Sequence, residues 1–235
     1  MLYTRPVLAC VFDVHGNLPA LEAVLDDARR AGAERFVLGG DYAALGGWPA
    51  ECVAVVRRLD AAVTIRGNWE RWAADPPRDV RADAETIEVV HAVHRALGTT
   101  LVAELGALAD RSYELAGALI CHASPAGDTT GFDPYSSAHD EELLAGVREP
   151  LVIAGHTHVQ VERTAGGVRL VNPGSVGMPL DGDRRAAYAL LDADGAVSLR
   201  RVAYDVDAAV EGVLSAAAGA PWGDFAAERL INAAI

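Results

Sequence analysis

Apolar and polar positions along the chain group into blocks that predict strands followed by helices. Short apolar runs predict buried strands at residues 6–12, 35–40, 62–67, 113–115, 118–122 and 151–155. Amphipathic spacing predicts helices at residues 18–32, 49–59, 83–108 and 139–146, the third of them broken at Gly98. Strands that alternate with helices are typical of an α/β fold, in which helices cover a sheet.

The C-terminal third of the chain changes to paired strands and then to helices. Two hairpins are predicted, at residues 159–171 and 186–204, because each has alternating apolar positions on both sides of a glycine turn. No linker, repeat or low-complexity segment divides the sequence. We therefore expect a single domain over residues 1–235, in which residues 205–235 form a C-terminal helical tail.

Composition and charge indicate which classes of binding partner the protein can have. The chain has 235 residues, of which 51% are hydrophobic, so it can bury a large core. Its formal net charge is -13, from 33 acidic and 20 basic residues, and every basic side chain is arginine. Such a field repels nucleic acid and anionic membranes, so neither is expected as a partner. A phosphorylated substrate would need a local positive charge at its binding site.

The N-terminal sequence and the cysteines predict the compartment. Residues 1–13 do not have the charged leader and long apolar stretch of an export signal, and no window is apolar enough for a membrane helix. Cys10, Cys52 and Cys121 lie in apolar stretches and include no Cys-x-x-Cys pair. We expect a cytoplasmic protein with reduced, buried thiols. The alanine-rich tail leaves open whether the protein forms a homo-oligomer.

Five of the predicted strands end in a side chain that can bind a metal ion. These side chains are Asp13 and His15, then Asp41, Asn68 and His122, and finally His156 and His158. The carboxyl ends of strands are where open α/β sheets bind ligands, so we expect the side chains to gather there. In an extended chain, residues two apart point to the same side, which would pair Asp13 with His15 and His156 with His158.

The chemistry of these seven side chains favours two metal ions. Four imidazoles, two carboxylates and one carboxamide suit manganese, iron, zinc, cobalt or nickel. Seven donors are too many for one ion that keeps an open position, whereas two ions that share a carboxylate use them well. Sites with two metals are typical of enzymes that carry out in-line displacement at phosphorus.

The blocks FDVHGN, GGDY, GNWE, ICH and AGHTH resemble, in this order, the five signature blocks of the calcineurin-like metallophosphoesterases. Residues 172–191 are similar to the segment that follows the last block in small bacterial YfcE-like phosphodiesterases. The resemblance implies a four-layer α/β/β/α sandwich of two mixed sheets flanked by helices. It also implies that one metal is bound by Asp13, His15, Asp41 and His158, and the other by Asp41, Asn68, His122 and His156, with Asp41 as the bridge.

The same resemblance implies a reaction. The expected activity is hydrolysis of a phosphodiester or phosphomonoester bond in a small phosphorylated substrate, by in-line attack of a water or hydroxide held by two divalent metals. Manganese is the preferred metal. The seven metal ligands would also be the catalytic residues.

Trp69 departs from the family pattern, because many members have a histidine after the Gly-Asn pair. That histidine is thought to steady the phosphate and to help protonate the leaving group, which an indole cannot do at neutral pH. We therefore predict a preference for phosphodiesters with good leaving groups over alkyl monoesters. Trp69 either packs beneath the loop or stacks on an aryl or nucleobase group of the substrate.

Two further residues are candidate substrate contacts, each with a structural alternative. Asn17 either caps the helix that begins near Leu18 or contacts phosphate. Arg184 either binds a phosphate oxygen or lies in a solvated loop.

Alternative functions also remain open. Within enzymes, these are a phosphoprotein phosphatase, or a hydrolase of dinucleoside polyphosphates or cyclic nucleotides. In a different class, the same fold can serve as a non-catalytic binding scaffold. A scaffold is disfavoured because all seven ligand positions are filled.

Overall fold

In a computed structural model of the protein, residues 7–76, 84–113, 115 and 117–234 are described. The strands are β1 (Val7–Val11), β2 (Ala33–Leu38), β3 (Ala61–Thr64), β4 (Arg111–Ser112), β5 (Ala118–Cys121), β6 (Leu151–Ala154), β7 (Gln160–Ala165), β8 (Val168–Pro173), β9 (Ala186–Leu191) and β10 (Val197–Val202). The helices are α1 (Leu18–Arg30), α2 (Pro49–Val56), α3 (Asn68–Ala74), α4 (Ala84–Gly106), α5 (Asp140–Leu143), α6 (Val206–Ala217) and α7 (Pro221–Asn232).

The strands of the described residues form two mixed sheets of five strands each, in the orders β10-β9-β1-β2-β3 and β4-β5-β6-β8-β7. In the first sheet β1, β2 and β3 are parallel, and in the second β5, β6 and β8 are parallel. Parallel neighbours end at the same edge of a sheet, so the loops after these strands lie together. The predicted α/β sandwich of two mixed sheets flanked by helices is confirmed.

Alternation along the strands explains how the sheets stack. Cys10 and Phe12 of the first sheet pack with Ile120 and Ile153 of the second, which forms an inner apolar layer between the sheets. Ala9 and the other residues that alternate with Cys10 and Phe12 along the strand face the helices, where the largest cluster of buried side chains lies. Successive residues of a strand point to opposite faces, so each central strand contributes to two layers of core. All three cysteines are buried, unpaired thiols.

Two local predictions differ from the structure. The short strand expected at residues 113–115 is found at Arg111–Ser112, where it pairs with β5, and residue 114 of the expected strand lies outside the described residues. Helix α3 was not expected at all, because seven residues span only two turns and show little periodicity. Its signal was the capping glutamate: Glu70, at the third helical position, accepts a hydrogen bond from the Gly67 amide at the N-cap.

The C-terminal residues form two helices that pack on the main body. Asp205 caps α6 by accepting a hydrogen bond from the Ala208 amide at 2.9 Å, and α6 packs against α1. Helix α7 packs against α6 and α4, with Trp222 and Leu230 buried in the core. Among the described helices, none combines the length and apolarity required to cross a bilayer.

Candidate metal centre

The predicted ligands lie where strands end in sharply turned backbone. Asp13, His15, Asp41, His156 and His158 all have positive φ, between 48° and 69°, and they make up five of the eight described non-glycine residues with this conformation. The left-handed region is unfavourable for side chains with a Cβ and is concentrated at functional sites. The expectation of an extended chain through these residues is therefore wrong: turns rather than strand alternation aim the side chains.

The first group of ligand atoms belongs to Asp13, His15 and His158, which lie within 4.8 Å of one another. The Nε2 atoms of His15 and His158 are 3.0 Å apart. Each ring uses its Nδ1 to donate a hydrogen bond to a backbone carbonyl, of Ala44 at 3.0 Å and of Met178 at 2.7 Å respectively. Burial lowers the pKa of His15 to about 4 and holds that of His158 well below its usual value, so both rings are neutral. Their Nε2 lone pairs therefore face each other.

The second group consists of Asp41, His122 and His156, whose ligand atoms also lie within 4.8 Å. The Nδ1 of His122 donates to the Gly39 carbonyl at 2.9 Å, which turns its Nε2 toward Asp41 Oδ2 at 3.3 Å. Asn68 places its Oδ1 3.1 Å from the same Nε2. Backbone carbonyls thus fix the ring orientations in both groups, as is usual for metal-binding histidines.

The two carboxylates lie between the groups. Asp41 Oδ2 is 3.9 Å from His15 Nε2 of the first group as well as 3.3 Å from His122 Nε2 of the second. Asp13 Oδ1 is 3.7 Å from His158 Nε2 and 3.9 Å from His122 Nε2. This Asp13 oxygen is buried and has no hydrogen-bond partner among the described residues. A buried carboxylate oxygen without a partner is costly unless a cation lies beside it.

Electrostatics in the site favour positive charge. Burial raises the pKa of Asp13 to about 8. Burial also disfavours charge on His122, but the nearby Asp41 and Asp13 carboxylates outweigh it and raise the pKa of His122 to about 10. Burial would raise the pKa of Asp41, yet the charge and hydrogen bond of His122 hold it well below its usual range. In the absence of metal, protons thus occupy positions that a cation would take.

These observations test whether the residues fit a pair of metal ions, and they do. The facing lone pairs of His15 and His158 and the unpartnered Asp13 oxygen would be repulsive or unsatisfied in a metal-free protein. Imidazole and carboxylate donors together suit divalent transition metals. The first group would bind one ion, the second group with Asn68 the other, and Asp41 has the central position that a bridging ligand needs.

Glu70 is a supporting residue that sequence reasoning missed. Its buried carboxylate accepts hydrogen bonds at 2.8 Å from the backbone amides of Asp41, Tyr42 and Gly67. It therefore joins the loop that carries Asp41 to the start of α3, which carries Asn68. Since both loops provide ligands, Glu70 is a positioning residue for the metal centre.

Two glycines are required because the ligands approach their backbones closely. A Cβ at Gly67 would lie 2.1 Å from Asp41 Oδ1, and one at Gly155 would lie 2.6 Å from Asp13 Oδ2. No real side chain tolerates such distances without displacing the carboxylate. The glycines in the GNWE and AGHTH blocks thus leave room for the ligands of other blocks.

The centre opens into a cavity of about 590 Å³. Its lining includes His15, Asp41, Asn68, His156 and His158, and a larger set of apolar and aromatic side chains. Trp69 is half-buried in this lining, and its ring packs edge-to-face on Trp72 with centroids 4.9 Å apart. Its backbone amide donates to Asp41 Oδ1 at 3.0 Å. Trp69 therefore both packs locally and borders the space where a substrate would lie.

The two other candidate substrate contacts lie elsewhere. Asn17 caps α1, since its Oδ1 accepts from the Ala20 amide at 3.2 Å while its Nδ2 donates to the Gly177 carbonyl at 2.8 Å. Arg184 is exposed and is not among the described residues that line the cavity. Arg229 of α7 lines it instead. Its sequence signal was a charged position within the apolar stripe of α7.

Two stacked mixed sheets, with imidazole and carboxylate groups gathered at their strand ends, define a class of α/β metal-dependent phosphoesterases. Residues 7–196 match the model of the calcineurin-like phosphoesterase superfamily domain, and the chain belongs to that superfamily. The resemblance drawn from the five sequence blocks is confirmed at this level.

Individual relatives cover almost the whole chain. A metallophosphoesterase structure from Sphaerobacter thermophilus has a TM-score of 0.84 and 26% identity, covering 98% of this chain and 100% of its own. The hypothetical protein PH1004 from Pyrococcus horikoshii has a TM-score of 0.82 and 19% identity, covering 97% and 98% respectively, and supports the fold. The uncharacterized protein MJ0912 of Methanocaldococcus jannaschii is 25% identical over 228 residues, 89% of this chain and 93% of its own length.

Proposed function

We propose that the protein is a dinuclear metal-dependent phosphoesterase that hydrolyses phosphodiesters in preference to monoesters. The observation that carries the proposal is the pair of ligand groups, joined by Asp41 and open to the cavity through His15, His156 and His158. Membership of the calcineurin-like phosphoesterase superfamily supports it. The similarity to the Sphaerobacter thermophilus metallophosphoesterase supports it further.

The chain's own residues have distinct roles in this proposal. Asp13, His15, Asp41 and His158 hold one ion, and Asp41, Asn68, His122 and His156 hold the other. When bound, two divalent ions supply a water-derived nucleophile at neutral pH and stabilise charge on the phosphoryl oxygens. Backbone carbonyls keep the imidazoles in the ligating orientation. Glu70 fixes the position of the loop that carries Asp41 relative to the start of α3, which carries Asn68.

The cavity supports a preference for esters with good leaving groups. The side chain that follows Asn68 is the indole of Trp69, which cannot protonate a leaving group at neutral pH. Burial first, and then the charge of His122, lowers the pKa of His156, so this cavity-lining imidazole is also a poor proton donor. An aryl oxide leaves without protonation, whereas an alkoxide does not. Aryl phosphodiesters are therefore the expected class of substrate.

A turnover screen of the manganese-loaded protein tests this function. Bis(p-nitrophenyl) phosphate, sugar phosphates, dinucleoside polyphosphates, cyclic nucleotides and phosphopeptides would be compared at equal concentration. We expect the aryl diester to turn over at least about tenfold faster than the sugar phosphates. Comparable rates on the two would contradict the preference, and faster phosphopeptide turnover would favour a protein phosphatase.

Metal analysis separates an enzyme from a binding scaffold of the same fold. The proposal predicts close to two transition-metal ions per chain after incubation with Mn²⁺ and removal of excess. Near-zero metal after this treatment, together with no turnover of any ester, would favour the scaffold.

A further inference from the structure

Helix α7 forms part of the cavity although it lies outside the segment matched by the family model, residues 7–196. Three of its side chains line the cavity: Trp222, Phe225 and Arg229. Trp222 is buried in the core and anchors the helix, whereas Phe225 and Arg229 are partly exposed. The lining of the cavity thus comes in part from residues that the family pattern does not specify.

Arg229 carries a charge that no carboxylate among the described residues pairs with. Its guanidinium lies 4.0 Å from the centroid of the Phe225 ring, one turn earlier on α7. Its Nε is buried and has no hydrogen-bond partner, and the group forms no ion pair with another described residue. Among the described residues that line the cavity, it is the single arginine, and the protein has no lysine.

This placement suits an anion. The protein has a net charge of -13, and most of its partly buried arginines are paired with carboxylates, as Arg163 is with Asp140. The Arg229 guanidinium, which has no carboxylate partner in the described part of the chain, borders the same cavity as the metal ligands His15 and His158 and can donate to a phosphate oxygen. Stacking on Phe225 limits the conformations of the side chain, which lowers the entropy cost of binding.

Aromatic side chains occupy another part of the same cavity. Trp69 and Trp72 of α3 form an edge-to-face pair, and both line the cavity. Arg71 packs on Trp72, with its guanidinium 5.9 Å from the indole centroid. The same guanidinium donates hydrogen bonds of 2.6 and 2.7 Å to the Asp128 carboxylate, which fix its position. A rigid aromatic surface beside a phosphate site favours a planar aromatic group on the ligand.

We propose that Arg229 is a substrate-binding residue that contacts the phosphate, and that the Trp69–Trp72 pair binds a planar aromatic group carried by the same ester. The substrate is thus a phosphate ester that carries an aryl group or a nucleobase. This inference rests on the proposed phosphoesterase function, because it describes the substrate of the same site. It adds a specificity element from the C-terminal helix.

Binding of phosphonates tests the proposal without turnover, because their P–C bond is not hydrolysed by ester hydrolases. Calorimetry of the manganese-loaded full-length protein would use methylphosphonate, phenylphosphonate and the methylenephosphonate analogue of AMP. Wild type should bind phenylphosphonate or the AMP analogue at least fivefold more tightly than methylphosphonate. The tighter of the two identifies an aryl group or a nucleobase as the ring. Equal affinity for all three phosphonates would overturn the proposal that the Trp69–Trp72 pair binds an aromatic group.

Three variants separate the two halves of the site. Arg229→Gln should weaken binding of all three phosphonates about tenfold and leave their ratios unchanged. Trp72→Leu should remove the preference for the aromatic ligand and leave methylphosphonate binding unchanged. Arg148→Gln is the charge-matched control, since Arg148 is exposed and outside the cavity lining, and it should bind all three like wild type.

Failure of this inference and failure of the phosphoesterase function give different results, because the first is measured by phosphonate binding and the second by ester turnover. Metal content and the midpoint of thermal unfolding establish that each variant is folded and loaded. If Arg229→Gln binds methylphosphonate within twofold of wild type, the phosphate role of Arg229 is wrong. If the binding differences appear while no ester is hydrolysed by wild type, the inference stands and the phosphoesterase function fails.

Discussion

The cavity has a floor and a wall that are built in different ways. The floor is the set of seven predicted ligands, of which all but the fully buried Asp13 and His122 line the cavity: Asp13, His15, Asp41, Asn68, His122, His156 and His158. The wall includes Trp69, Trp72, Trp222, Phe225 and Arg229. Floor side chains come from strand ends and most have strained, left-handed backbone. Wall side chains come from α3 and α7, whose backbone is helical.

This difference separates chemistry from selectivity. Backbone carbonyls and Glu70 fix the floor, so its residues cannot move or change without loss of ligand geometry. The wall depends on long side chains that project from helices, among them the contacting pairs Trp69–Trp72 and Phe225–Arg229. We therefore expect changes in the floor to lower metal binding and kcat, and changes in the wall to alter KM for particular substrates.

The largest effect should follow from Asp41→Asn in the floor. The substitution removes a negative charge between His15 and His122 and weakens both metal positions at once. Turnover should fall by at least about 1000-fold, close to the loss seen when catalytic groups are removed. Steady-state kinetics and metal analysis of the same sample provide the test. Wild-type turnover with two bound metals would show that Asp41 does not bridge the ions.

Glu70→Ala tests whether the floor depends on support from outside the ligand set. It leaves three buried backbone amides without their acceptor, which should cost about 3 kcal/mol of unfolding free energy. Metal affinity should fall about 10- to 100-fold, as for other residues that orient ligands. Urea unfolding and Mn²⁺ titration measure the two quantities.

The matched control for Glu70 is Glu88→Ala, on an exposed position of α4. It should leave both quantities near wild type. An unchanged Mn²⁺ affinity in Glu70→Ala, beside a normal control, would mean that the floor positions its ligands without Glu70.

A smaller effect is expected from Gly67→Ala. The backbone at Gly67 has φ -98°, which alanine adopts without strain, so the added methyl acts through its close contacts with Asp41 and His122. Displacement of the Asp41 carboxylate should weaken Mn²⁺ binding about tenfold. This is the lower end of the 10- to 100-fold loss expected when a residue that orients the ligands is removed. Metal-free stability should change little compared with Glu70→Ala. Wild-type metal affinity would indicate that the floor is more adaptable than its close packing suggests.

The smallest effect concerns the wall, through the Arg71–Asp128 pair that supports Trp72. Burial would raise the pKa of Asp128, but its hydrogen bonds and ion pairs with Arg71 and Arg66 outweigh this and lower it. Because the folded pKa is lowered, the stabilisation is present above the unfolded value of about 3.9 and is lost as pH falls through the folded value.

Asp128→Asn should therefore cost about 1 kcal/mol of unfolding free energy at pH 7, and this difference from wild type should shrink below about pH 4. Metal affinity should change far less than in Glu70→Ala, because the hydrogen bonds of Asp128 come from Arg66 and Arg71 rather than from a metal ligand. Urea unfolding at pH 7 and at pH 3.5 checks the sign. A difference that grows toward low pH would contradict the ion-pair assignment.

Sequence reasoning predicted the floor better than the wall, for a physical reason. Ligating side chains such as His156 and His158 interrupt apolar strands, so they stand out locally, and their order matches a known family. Glu70 supports the floor through hydrogen bonds from the amides of Asp41 and Tyr42, which are distant in sequence, and a charged position within α7 does not by itself show that Arg229 faces the cavity. Helix α3 was missed for the same reason, since its start is fixed by tertiary hydrogen bonds to the Asp41 loop as much as by its own seven residues.

Most predicted strands and helices agree with the structure, because burial on two faces leaves a strong apolar signal in a central strand. The conformation at the strand ends was not predictable in this way. Positive φ at Asp13 and His15 arises where the chain leaves β1 and turns toward α1. In a sequence, aspartate and histidine do not indicate a turn with positive φ as strongly as glycine does.

The central claim is that strand ends far apart in sequence hold one pair of metal ions. A crystal grown with Mn²⁺ and measured at the manganese absorption edge tests it directly. We predict two anomalous peaks roughly 3.5 to 4 Å apart, as in other two-metal sites, with the Asp41 carboxylate between them. A single peak, no peak, or imidazoles of His156 and His158 turned away from the carboxylates of Asp13 and Asp41 would contradict the account.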